Sequence, residues 1–297
     1  MLKPITFVTY NTQFCTGLDG RTDVNRIVDE IGEADVICLQ EIDRFWQRTG
    51  YVDQVTEITS LMPQYYWAFG PGIDVDASFH DSTNKLVNRR RQFGNMVLAR
   101  WPLLMVRNHM LPKLNLRTPL SLQRSALETI VDLPDGPCRV ISVHLAHASA
   151  EERLLQIEKL REIISVGSVD GGAWSGRDYH DRWGLDGPPN PSPRRGIVMG
   201  DFNSKPDSME YSAICGGFNT EVGSLPTADG LIDIWTDMGH DRLKGSTWGE
   251  GLRAFRFDLV LATTEIADCS GRIWVENKAK GSDHKPLFFE VTLCGKE

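Results

Sequence analysis

Seven short apolar runs punctuate this chain: "ITFVTYN" (5–11), "DVICLQEI" (35–42), "NMVLAR" (95–100), "CRVISVHL" (138–145), "GIVMGDF" (196–202), "RFDLVLA" (256–262) and "LFFEVTL" (287–293). Their length and their Val, Ile, Leu and Phe content read as strands. The groups they carry constrain the fold further. Asn11 ends the first run and Glu41 stands near the end of the second. His144 lies in the fourth, Asp201 and Asn203 in and after the fifth, Asp258 in the sixth, and Asp283 and His284 just before the last. An uncompensated buried charge costs roughly several kcal/mol, comparable with the stability margin of a whole domain. A chain with so many such groups at strand ends is expected to gather them into one shared site.

Two segments between the runs have helical spacing. In 21–34, Val24, Ile27, Val28 and Ile31 share a face; in 149–165, Leu154, Ile157, Leu160, Ile163 and Ile164 do. Ser149 followed by Glu152 makes a capping box, and Arg153 and Gln156 fall on what reads as the solvated face of that helix. Strands alternating with helices and hairpins predict an α/β (α+β) sandwich. With 297 residues, 41% of them hydrophobic, the chain reads as a single domain over 1–297 whose core needs no staple.

Two stretches interrupt the alternation. Residues 166–195 are rich in Gly, Pro, Asp and Arg but hold Trp174, Tyr179 and Trp183. This reads as a long irregular insertion, either a surface flap pinned by its aromatics or a lid that meets substrate. Its far end leads into the strand carrying Asp201, so it is expected close to the site. Residues 70–94 read as a polar loop carrying Arg89, Arg90 and Arg91.

The formal net charge of −8 disfavours a protein built only to coat nucleic acid, although a local basic groove stays open. The six cysteines are scattered, without a disulfide framework or zinc spacing. The first residues lack the charged start and apolar stretch of a signal peptide, and no apolar run is long enough to span a bilayer. The expectation is a cytoplasmic protein of unknown oligomeric state.

Carboxylates cluster usefully around a cation, and oxygen ligands favour a hard one, Mg²⁺ or Mn²⁺. Histidines beside them supply proton-transfer groups. Together these groups suit attack of water on phosphorus. Read alone, "GSDHKP" at 281–286 is a turn.

"TYNTQ", "LQEI", "SVHLAH", "GDFNSKP", "RFDLVLA" and "GSDHKPL" occur in that order along nearly the whole chain. This order resembles the endonuclease/exonuclease/phosphatase superfamily, which includes deoxyribonuclease I, exonuclease III, neutral sphingomyelinases and inositol-polyphosphate phosphatases. Any one of these motifs is weak; six in order are specific. The resemblance implies two β-sheets packed face to face with helices outside and the site at one end. It implies Glu41 as principal metal ligand with Asn11 and Asp283 near it. Asp201 and Asn203 would orient water and hold phosphoryl oxygens. His284, backed by Asp258, would serve proton transfer, with His144 across the phosphate. Asn95, in "RRRQFGNMVLARWPL", and Lys205 are further substrate-contact candidates, together with Trp174, Tyr179 and Trp183.

Two departures narrow the class. Where the exonuclease III branch has Tyr this chain has His144, and where that branch has an acid two residues after the first Asn it has Gln13. The 89–103 stretch looks instead like sphingomyelinase-like and uncharacterised bacterial members. The resulting expectation is Mg²⁺- or Mn²⁺-dependent hydrolysis of a phosphodiester or monoester of a small or lipid-derived molecule. The alternatives are a DNA or RNA nuclease and a catalytically inactive binding protein.

Overall fold

A computed structural model describes residues 3–292, apart from 168, 177–178, 181, 183–189, 220, 222 and 226–229. In chain order the strands are β1 (Ile5–Asn11), β2 (Val36–Arg44), β3 (Tyr66–Asp76), β4 (Phe79–His80), β5 (Leu86–Val87), β6 (Arg90–Ala99), β7 (Leu103–Met110), β8 (Ser125–Leu133), β9 (Gly136–His144), β10 (Gly196–Asp201), β11 (Gly217–Asn219), β12 (Gly223–Leu225), β13 (Ile232–Asp233), β14 (Asp258–Ala262), β15 (Ser270–Val275) and β16 (Leu287–Val291). The helices are α1 (Val24–Ile31), α2 (Gln54–Leu61), α3 (Ala150–Val166), α4 (Met209–Cys215), α5 (Ile234–Asp237) and α6 (Thr264–Ala267).

Two six-stranded mixed sheets form the body, ordered β15-β16-β1-β2-β6-β3 and β13-β14-β10-β9-β8-β7. Each has one parallel pair at its centre, β1 with β2 and β9 with β10. Each parallel pair is joined through a helix, α1 or α3, as a parallel crossover requires.

Side-chain parity explains the layers, because successive residues of a strand face opposite sides. Phe7, Val36, Cys38 and Val97 of one sheet meet Leu127, Val140, Ile197, Met199 and Val260 of the other in a shared core. The intervening residues face outward. Val8, Ile37 and Leu39 pack with Ile27, Ile31 and Ile58 of α1 and α2. Ile141, Val143 and Val198 pack with Ile157, Leu160 and Ile214 of α3 and α4. The result is a helix–sheet–sheet–helix sandwich, the architecture expected from the sequence.

The boundaries differ in instructive places. All seven expected strands form among the described residues, and β3, β4, β5, β7, β8, β11, β12, β13 and β15 are additional. The stretch 70–94, read as a loop, is mostly strand: β3, the β4–β5 hairpin and the start of β6, with Arg90 bonded to Asp74 at 2.7 Å. Ser149 caps α3 as expected, accepting from Glu152 N. Glu152, however, turns its carboxylate to Leu114 N and Ser121 Oγ instead of back to the cap.

Arg153 and Gln156 are not on a solvated face. Arg153 pairs with Glu210 at 2.7 Å. Gln156 is fully buried, accepting from Ala146 N and donating to Pro112 O. Cys269 is disulfide-bonded, whereas Cys15, Cys38, Cys138 and Cys215 are free and buried. No helix among the described residues is long and apolar enough to cross a membrane.

The insertion is anchored away from the mouth expected for it. It enters β10 at Gly196, five residues before Asp201, which is roughly 17 Å of strand. Arg195 pairs with Asp135 in the β8–β9 turn, Asn190 donates to Leu104 O, and Arg107 on edge strand β7 donates to Gly172 O. These anchors place the described ends of the insertion at the edge and the opposite end of the second sheet; the part on which an approach to Asp201 turns, 177–178, 181 and 183–189, lies outside the described residues. Trp174 is half-buried, Tyr179 is 87% exposed, and Trp183 lies outside the described residues.

Candidate active site

The same parity that builds the core builds the site. Continuing the inward-facing register of β1, β9, β10 and β14 reaches Asn11, His144, Asp201 and Asp258 at one end of the sandwich. Asp201 lies beside His144 on one side and Asp258 on the other in strand register. Glu41 breaks the pattern: strict alternation after Val36 and Cys38 would turn it outward. A bulge between β2 and β6 falls at this point, and Glu41 takes a left-handed φ of 62°. Bulges re-aim side chains at functional sites, and this one delivers Glu41 to within 3.8 Å of His144.

Asp201 is the hub. Asn11 Nδ2 donates to its Oδ2 at 2.9 Å, and Asn203 donates to it from both backbone N and side-chain Nδ2. His144 Nε2 and His284 Nε2 stand 3.4 and 3.6 Å from the same Oδ2. Its approach depends on Gly200, where an added Cβ would collide with Val143 O. His284 Nδ1 is 2.8 Å from Asp258 Oδ2, and a carboxylate can only accept there. Ser282 Oγ donates to Asn11 O and accepts from His284 N, pinning the 282–284 turn to the end of β1. Glu30 of α1 steadies the same turn by accepting from Lys280 N and Gly281 N.

Several participants carry no sequence signal of their own. Arg124, immediately before β8, is 4% exposed and donates to His144 Nδ1 at 3.0 Å. Trp248 Nε1 donates to Asp283 Oδ2 at 3.0 Å. Beneath the mouth, Gln40 donates to Thr9 Oγ1 beside it and across the sheets to Ser142 Oγ, and Asn95 donates to Ser125 O and Ser142 O. Asn95 therefore ties the sheets together directly under the site. Lys205 lies over the Phe255 ring at 4.1 Å, at the end of a stack of Trp248, Phe255 and Phe257. An open cavity of about 170 Å³ lies between Trp248, Asp283, His284, Lys285 and Leu18.

Burial dominates the electrostatics. It pushes Glu41 up, against the pull of Arg124, and pushes Asp201 up to about 7, against His284. It drives His144 well below the usual histidine range, and Arg124 adds to that. For His284 burial works downward too, but Asp258 and Asp201 outweigh it and hold the imidazolium to about 10. The site is thus a buried excess of carboxylate, with one oxygen, Asp258 Oδ1, left without a partner.

A sequence model of the Endonuclease/Exonuclease/phosphatase family matches residues 8–284, ending on His284. No curated protein sequence matches the chain. Among solved structures, an endonuclease/exonuclease/phosphatase from Beutenbergia cavernae shares 18% identity at a TM-score of 0.64, covering 99% of this chain and 72% of that one. The human Nocturnin catalytic domain with bound sulfate shares 17% at 0.60, covering 98% and 95%. A mannosyl-6-phosphatase of Bacteroides thetaiotaomicron shares 15% at 0.56, covering 97% and 100%. At these identities the likeness is one of fold.

Proposed function

The chain belongs to the Endonuclease/Exonuclease/phosphatase family, and from that premise we propose that it hydrolyses a phosphate ester with a hard divalent cation, Mg²⁺ or Mn²⁺. The substrate is a diester or monoester of a small or lipid-derived molecule. One observation carries the reading: strand ends from both sheets bring Asn11, Glu41, His144, Asp201, Asp258 and His284 into one buried, hydrogen-bonded group.

A cation fits this donor set, because the carboxylates crowd together with their charge only partly offset by Arg124 and His284. Asp201, Asp258 and His284 have ligand atoms within 4.8 Å of one another. Asp258 and His284 are already committed to each other, so that trio is better suited to proton transfer. Glu41, whose carboxylate accepts only a 3.5 Å contact from Asn11 among the described residues, would hold the cation with Asn11 and Asp283. The bound cation would polarise the phosphoryl group and acidify a water.

The protein's own groups do the rest. Asp258 fixes the His284 ring and stabilises its charged form, the arrangement a proton-transferring histidine needs. Asn11 and Asn203 hold Asp201 with its carboxylate toward both histidines, where a pKa near neutrality suits exchange of a proton with water. The wall of Trp248, beside the 170 Å³ cavity, offers an apolar face to the organic part of a small substrate.

The test is a screen of purified protein with Mg²⁺ or Mn²⁺ against chromogenic mono- and diesters, phospholipids, nucleotides, RNA and plasmid DNA. Turnover of a small ester, abolished by EDTA, is expected. Turnover confined to nucleic acid, with binding that falls steeply with salt, would replace the small-substrate reading with a nuclease.

A further inference from the structure

Arg124 is a buried guanidinium whose side-chain bonds run to two histidines. Nη1 lies 3.0 Å from His144 Nδ1 and Nη2 3.4 Å from His147 Nδ1, with the Phe93 ring 5.9 Å from its Cζ. An arginine that braced the fold would bond backbone carbonyls. Arg139 does so at the end of α3, donating to Ile163 O and Ile164 O. Arg124 faces the acid cluster instead, where Glu41 and Asp201 are its strongest charge partners.

A guanidinium has N–H donors and no acceptor. His144 Nδ1 must therefore accept, and the ring proton must sit on Nε2. That nitrogen points at the centre of the site, 3.4 Å from Asp201 Oδ2 and 3.8 Å from Glu41 Oε1. His284 is held the opposite way: Asp258 can only accept, so Nδ1 carries a proton and Nε2 faces Asp201. The two histidines look alike in sequence and meet the same carboxylate, yet their partners leave a lone pair on His144 Nδ1 and a proton on His284 Nδ1.

We propose that Arg124 is a positioning residue that makes His144 a dedicated Nε2–H donor to a phosphoryl oxygen, leaving proton transfer to His284. The assignment of the phosphoryl oxygen rests on the phosphate-ester reading above; the tautomer does not.

Nitrogen-15 NMR of the imidazoles in the full-length, metal-free protein tests it directly. Wild-type His144 should show a protonated Nε2 and a lone-pair Nδ1, and His284 a protonated Nδ1. Arg124→Met keeps bulk and removes the donors; it should release His144 into mixed tautomers and lower kcat about 10²-fold, the usual cost of one lost transition-state donor, with KM changed little. Arg124→Lys, which restores a cationic donor, should recover the Nε2–H form and part of kcat. A protonated Nδ1 on wild-type His144 overturns the proposal, and so does an Arg124→Met protein that keeps both the tautomer and the wild-type rate. The wild-type spectrum decides even if Arg124→Met does not fold. If the tautomer is as stated but no phosphate ester is cleaved, the functional reading fails and the Arg124–His144 lock stands.

Discussion

The substitution Asp258→Asn removes one charge from a deeply buried pair in the site and changes almost no volume. Asp258 is 0% and His284 5% exposed. Burial opposes the imidazolium, yet Asp258 and Asp201 hold it at about 10, against an ordinary 6.5. At about 1.4 kcal/mol per pH unit, that difference puts a ceiling of about 5 kcal/mol on the stabilisation. The side-chain amide oxygen of the variant would still accept from His284 Nδ1, so about 1 kcal/mol of neutral hydrogen bond survives. Asp201 supplies another part. The expected loss for Asp258→Asn is therefore about 2–4 kcal/mol at pH 7.

The pH dependence has a definite sign. A group whose folded pKa is raised stabilises fully below its unfolded value and loses that stabilisation as pH rises through the folded value. The gap between wild type and Asp258→Asn should be largest near pH 6 and shrink through pH 10. Urea titrations of both proteins in EDTA, at pH 6, 7 and 10.5, measure it while titrations of groups remote from the site cancel between them. A gap below about 1 kcal/mol at pH 7, or one that is equal at pH 6 and 10.5, would refute the charge-pair account.

Three further outcomes are expected. Glu41→Gln should raise the Mg²⁺ concentration needed for half-maximal activity and lower kcat, while shifting stability by less than about 1 kcal/mol, because its contact with Asn11 is long at 3.5 Å; activity that persists at full strength after chelation contradicts this. Asp233→Ala strands the fully buried Arg256, paired with it at 2.7 Å, and should cost about 3–5 kcal/mol; calorimetry of Asp233→Ala beside the Asp233→Ala/Arg256→Met double variant checks that the double variant recovers stability. Gly200→Ala drives a methyl into Val143 O and should yield little soluble protein; a normal yield and circular dichroism spectrum would show that β9 and β10 can separate locally.

The apolar runs made the strand ends readable, and period-two alternation carried His144, Asp201 and Asp258 inward without further help. Glu41 was readable as a residue but not as an inward-facing one, since a bulge leaves no mark in an apolar run. β8 was hidden because "SALETIVDL" contains Glu128, whose burial makes sense only beside Arg139 at 2.8 Å and His109 at 2.7 Å on neighbouring strands. Arg153 and Gln156 look solvated by helical position because their partners, Glu210 and Ala146, are supplied by other elements. Arg124 was invisible for the same reason: its meaning is a distance to His144, and sequence does not encode distances between strands.

The strand orders described above can be laid on one another. Reversing the second sheet matches β1-α1-β2 with β9-α3-β10, β6 and β3 with β14 and β13, and β16 with β8. Asn11 then shares a seat with His144, Gln40, the neighbour of Glu41, with Asp201, Asn95 with Asp258, and the turn of His284 with the position of Arg124. The scaffold is a frame doubled on itself, while its occupants are unequal: one half holds the residues assigned to the cation and the other those assigned to the histidine donor and the hub carboxylate. Equivalent seats accept different side chains without a change of backbone, so such a frame can exchange one chemical group at a time and keep its shape.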